Sequence, residues 1–134
     1  MGRSVGAGCT LTLSGLVLIA SSVIAADAPS FKRDIAPLLE ERCAGCHLTG
    51  EESGKLALNM DAAFKTLVGQ PSIESPLLRV KPGDPEASYL VKKLEGTQLL
   101  AGGKGARMPL GGPPIDPAFL SAVRQWIASG ASDN

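Results

Sequence analysis

Cys43-Ala44-Gly45-Cys46-His47 sets two thiols three positions apart and an imidazole on the next residue. Four chemistries can use such a set. A thioredoxin-like pair would cycle between dithiol and disulfide, but it wants a strand-to-helix entry in a βαβ setting, which the chain does not offer. Zinc would take both thiolates and the imidazole, yet no second histidine exists, and the one other cysteine, Cys9, lies in the leader described below. A plain disulfide across so short a loop leaves His47 without a role. The fourth chemistry is covalent haem attachment. The thiols reach the two vinyl groups on one porphyrin edge, and His47 beneath the ring presents a nitrogen to the iron. A hydrogen bond at the other ring nitrogen would fix its orientation. One covalently attached haem c is therefore expected, with Cys43 and Cys46 as thioethers and His47 as proximal iron ligand.

His47 is the only histidine, so a bis-histidine haem within one chain is excluded. Outside the leader the methionines are Met60 and Met108. Met60 sits at the edge of a candidate helix, and an adaptable core side chain is the role expected of it. Met108 lies in the helix-free segment Arg107-Met108-Pro109, where Pro109 biases it toward extended backbone. A ligand that crosses to the far face of a porphyrin needs such a long, stiff connection, so Met108 is the expected distal iron ligand. A His/Met haem is associated with electron transfer, since both axial positions are filled by protein. The expected function is that of an electron carrier, not an enzyme, exchanging electrons with a donor and an acceptor redox protein. Two alternatives stand beside it. One is a haem enzyme or small-ligand sensor, such as a peroxidase, in which the glycine-rich Gly102–Gly112 loop releases Met108. The other is a dedicated electron-transfer subunit of a larger oxidoreductase complex.

Four helices must position these groups. Ile35, Leu38, Leu39 and Arg42 follow helical spacing into Cys43, with Asp34 as candidate N-cap and Pro37 in the first turn; a start near Ser30 would place Pro37 mid-helix. The second spans 62–68, capped by Asp61 and stopped by Gly69. The third runs from Pro85 to Glu95, capped by Asp84 and ended by Gly96. The fourth opens on Asp116-Pro117 and runs to Ser129, with Phe119, Leu120, Val123, Trp126 and Ile127 on one face. Lys55–Leu58 could form a short strand; otherwise the reading is all-α with long Gly/Pro-rich loops. Candidate haem-pocket residues are Leu90, Leu94, Arg107 and Trp126. Arg107 would pair with a haem propionate or stay a solvated loop charge, and core packing is the plainer role for Trp126, Leu120 and Val123. Lys92 and Lys93 read as a wet helix face.

Residues 1–26 have the layout of a secretory signal: Arg3 in a short start, an apolar stretch from Leu11, then small residues, with cleavage after Ala26. The folded domain is then 27–134, in the periplasm, and only a retained leader would tie it to a membrane. Lipidation at Cys9 is not expected, because the apolar segment follows that cysteine. Acidic and basic side chains balance at thirteen each, and no basic stripe for nucleic acid appears. The aromatic residues are few, so a large apolar cofactor would supply core volume that the side chains lack.

The ordered set of Phe31, Asp34-Ile35-Ala36-Pro37-Leu38-Leu39, Arg42 to His47 and Gly54-Lys55-Leu56-Ala57-Leu58 resembles the planctomycete-type cytochrome c domain. So do Lys81 to Leu90 (KPGDPEASYL), Arg107-Met108-Pro109 and Trp126 to Ala131. The resemblance spans most of 31–131. It implies the class I cytochrome c fold, with Cys43, Cys46 and His47 on the proximal side of the haem and Met108 on the distal side. Relatives often carry this domain attached to larger modules; here it is expected to stand alone behind the leader.

Overall fold

The computed structural model describes residues 1–2 and 27–134; residues 3–26, holding most of the expected leader and Cys9, lie outside them. The first helix begins at Ser30, not Asp34. The Ser30 hydroxyl accepts the Arg33 N–H at 3.3 Å, while the Asp34 carboxylate accepts the Ser30 N–H at 2.8 Å. This is a reciprocal cap in which Asp34 serves from inside the helix. The turn Phe31–Ile35 is π-helical, closed by the Ala36 N–H on the Phe31 carbonyl, and α1 follows at Ala36–Cys43. Pro37 explains the wide turn. It has no N–H to give four residues back, and its ring crowds the carbonyl there, so the chain carries it by loosening the preceding turn.

The second helix, α2, is Ala63–Leu67. Asn59, not Asp61, satisfies its entry: the Asn59 side-chain oxygen accepts the N–H of Asp61 and Ala62, and its carbonyl that of Ala63. The third, α3, is Tyr89–Glu95 and starts four residues later than expected. Asp84-Pro85 opens a turn, with the Asp84 carboxylate accepting the Ala87 N–H at 3.0 Å. Ser88 is meanwhile drawn into a bridge with Leu78. Gly96 ends α3 at φ 81, a conformation that disfavours a side chain. The last helix, α4, is Pro117–Ala128, capped as expected by Asp116, whose carboxylate takes the N–H of Ala118 and Phe119. Among the described residues there is no sheet. Lys55–Leu58 forms no strand; three isolated bridges instead join Val68 to Val80, Pro71 to Leu78, and Leu78 to Ser88.

The core forms where α4 crosses the opening turn and α3. Trp126 is 1% exposed and stacks on Phe31 with ring centroids 4.9 Å apart, while Phe31 meets Phe64 edge-on at 5.3 Å. Val123, Ile127, Val91 and Leu39 complete it. Met60 is no part of this core: it is half exposed, and its N–H donates to the Glu40 carboxylate. Lys92 and Lys93 are not a wet face either. Lys92 pairs with Glu86 and Lys93 with Glu74, their side chains 16% and 11% exposed. No helix among the described residues is long and apolar enough to cross a membrane.

Candidate functional site

Helix α1 delivers Cys43 as its last residue. The chain then closes on itself: Cys46 and His47 both donate their N–H to the Cys43 carbonyl, at 3.1 and 3.0 Å. The His47 carbonyl in turn accepts the Leu58 N–H at 2.7 Å, so the loop returns under the motif. Cys43, Cys46 and His47 all line one cavity of about 350 Å³, within the usual size of cofactor sites. Met108 lines the same cavity, although it comes from the loop between α3 and α4.

Buried leucines, including Leu58, Leu67, Leu90 and Leu94, wall the space. Leu90 and Leu94, candidates for the haem pocket, line this cavity. Arg107 lies elsewhere, and Trp126 takes its plainer role in the core. Arg107 packs its methylenes on Gly96, donates to the Gly112 carbonyl at 3.1 Å and does not line the cavity. Trp126 lies in the core and gives its indole N–H to the Ser132 carbonyl at 2.9 Å. Helical periodicity marks Trp126 as inward-facing, and inward here means toward Phe31. A polar wall went unforeseen: Glu74, Arg79, Tyr89 and Lys93 also line the cavity. Only a tertiary fold brings the Glu74 and Arg79 segment to the motif, so no local sequence signal marks them.

The Cys43 thiol is pushed up to about 11 by burial. Its place at the C-terminal end of α1 adds a helix dipole that disfavours a thiolate. Catalytic and redox thiols show the opposite trend, with a lowered pKa at helix N-termini or beside cations. No three His, Cys, Asp or Glu side chains among the described residues are grouped to hold a metal ion on their own. Neither a disulfide-exchange pair nor a zinc set fits. Haem does fit: two thiols and an imidazole line one leucine-walled space. The buried His47 Nδ1 also has no hydrogen-bond partner among the described residues.

The loop that carries Met108 is tied down at both ends. Met108 donates its N–H to the Lys93 carbonyl at 2.9 Å, which fastens it to the last turn of α3. Gly103 donates to the Gln98 carbonyl at 2.8 Å, the Gln98 side chain to the Gly105 carbonyl at 2.9 Å, and Lys104 to the Tyr89 hydroxyl at 3.2 Å. The peptide bond from Met108 to Pro109 is cis. A larger cleft, about 700 Å³, lies between the first helix and the Pro113–Asp116 segment. It holds no cysteine, histidine or methionine and is not the chemical site. No family model, curated protein or solved structure matches the chain.

Proposed function

We propose that this chain is an exported monohaem c-type cytochrome of the class I fold, carrying electrons between a donor and an acceptor redox protein. One observation carries the reading: the haem-attachment motif at Cys43–His47 and a methionine from the opposite part of the chain share a single leucine-walled cavity. When bound, haem supplies a one-electron couple at its iron. Cys43 and Cys46 would hold the group covalently as thioethers, and His47 and Met108 would ligate its iron. Leu58, Leu67, Leu90 and Leu94 exclude water, which with the methionine favours a raised reduction potential. The resemblance to planctomycete-type cytochrome c domains supports the same assignment, and the leader-like 1–26 supports the periplasm.

The haem-enzyme or sensor alternative needs Met108 to leave the iron. The hydrogen bonds that lace residues 98–108 to α3 favour a carrier with a fixed ligand instead. The test is absorption spectroscopy of the oxidised protein. The far-red methionine-to-iron charge-transfer band is expected in the wild type and lost in Met108→Ala, and the reduced wild type is expected to refuse carbon monoxide near neutral pH. A band that survives Met108→Ala means that the distal ligand is another group.

A further inference from the structure

Arg79 stands on the cavity wall, in the segment that pairs with both the end of α2 and the start of α3. The Arg79 N–H donates to the Gln70 carbonyl at 2.7 Å, and its own carbonyl accepts the Leu90 N–H at 2.9 Å, so its backbone is fixed on both sides. Its guanidinium is fixed as well. One Nη donates to the Thr66 carbonyl at 2.8 Å, and the other to the Gly54 and Lys55 carbonyls, each at 2.8 Å. All three acceptors are neutral. Among the described residues no carboxylate pairs with Arg79, and its Nε donates no hydrogen bond. Burial pushes its pKa down, the expected consequence of withdrawing a cation from water without a counter-charge.

The other cations that line the cavity, Lys93 and Arg42, have carboxylates beside them. Lys93 has Glu74 at 3.4 Å and the Lys104 carbonyl at 3.1 Å. Arg42 is largely exposed beside Glu41. Arg107, for which the sequence leaves propionate pairing and a solvated loop charge equally open, lies off the cavity, with its Nη1 buried and without a partner among the described residues. Arg79 alone is rigid, half-buried, in the wall and without an anion. With three donors given to carbonyls, the Nε–H and one Nη hydrogen remain, and either can give a carboxylate a charge-assisted hydrogen bond.

We propose that Arg79 is the anion receptor of this cavity and pairs with a propionate carboxylate of the haem. The inference rests on the proposed haem reading. Arg79 is a positioning residue in it: Cys43 and Cys46 would fix the orientation of the ring, and Arg79 would hold the propionate and offset its charge. An uncompensated propionate would favour the more positive, oxidised iron.

The test is a redox titration of the haem-loaded wild type, R79Q and R79K. R79Q is expected to shift the reduction equilibrium toward the oxidised state about tenfold, ~59 mV for one electron. R79K, which keeps the charge while losing the carbonyl clamps, is expected to recover most of that shift. A merely structural role would damage R79K and R79Q alike. R79Q and wild type agreeing within a factor of about two would overturn the proposal. Because R79Q also releases Gly54, Lys55 and Thr66, the folded wild type supplies a second readout. In haem-loaded protein labelled with ¹⁵N-arginine, the Arg79 Nε–H is expected to exchange with solvent far more slowly than that of free arginine in the same buffer. Exchange at the free rate would also overturn the assignment. A wild type that matures without covalent haem would remove the functional reading and this inference together; haem with an unmoved potential would remove only the role of Arg79.

Discussion

Gly103→Ala probes the link between α3 and the loop that carries Met108. A Cβ at Gly103 would lie 2.5 Å from both Cε2 and the hydroxyl oxygen of Tyr89, and 2.7 Å from the Gln98 carbonyl oxygen. The Gly103 backbone is not in the left-handed region, so the penalty is steric alone. Neither neighbour yields easily. Tyr89 is 5% exposed in the cavity wall, and the Gln98 carbonyl already accepts the Gly103 N–H. Ordinary contact begins at 3.4 Å, so the loop or the ring must move by about 0.9 Å. Overpacking of this kind costs about 1–3 kcal/mol. The shift also loosens the Lys104 N–H bond to the Tyr89 hydroxyl, worth about 0.5–1.5 kcal/mol. The expected total is ~1.5–4.5 kcal/mol by urea denaturation, accompanied by a weakened methionine-to-iron band. Gly112→Ala is the control, because its Cβ meets only Pro109 at 3.6 Å or more. A Gly103→Ala protein within about 0.5 kcal/mol of wild type would refute the claim that this contact holds the distal loop.

Trp126→Ala should cost ~3–5 kcal/mol in thermal or urea unfolding, as expected for emptying a fully buried aromatic site. The milder Trp126→Phe should leave the reduction potential unchanged, whereas a shifted potential would return Trp126 to the haem cavity. Glu52, just after the motif, has its carboxylate held down to about 2 by its own backbone N–H and by the N–H and hydroxyl of Thr49 and the N–H of Gly50. Its folded pKa lies below the ordinary 4.5, so the stability it contributes is present above about pH 4.5 and fades as pH falls through about 2. An NMR titration of the Glu52 side-chain carbonyl carbon checks this directly; a midpoint near 4.5 would mean that the loop is not held in this way.

Local chemistry was legible in the sequence and long-range chemistry was not. The start of α4 follows from Asp116 and Pro117 alone, because an N-cap and a first-turn proline act within three residues. Asp84-Pro85 carries the same signature and opens a turn instead, since Ser88 is claimed by a bridge to Leu78. Aspartate at 34 and 61 looked like a cap in each case, yet Ser30 caps the first helix, and α2 has Ala62 at its N-cap position with no side-chain cap, Asn59 bonding the N–H groups just before the helix. At the site, the contiguous motif and the Met108-Pro109 segment stand out in the sequence, and the fold brings both to one cavity. Arg79 could not, because its place in the cavity depends on the pairing of the chain around Val68, Pro71 and Ser88. Arg107 misled for the opposite reason: adjacency to Met108 in sequence says nothing of direction, and its side chain turns toward Gly96 and Gly112.

The central claim is covalent haem on Cys43 and Cys46, and the intact mass of the denatured protein tests it most directly. Produced by export alongside haem-attachment machinery, the wild type should show the mass of its chain plus one haem, and Cys43→Ala/Cys46→Ala should show the chain alone. A wild type whose mass is that of the bare polypeptide, or whose haem is lost on denaturation, would contradict the account.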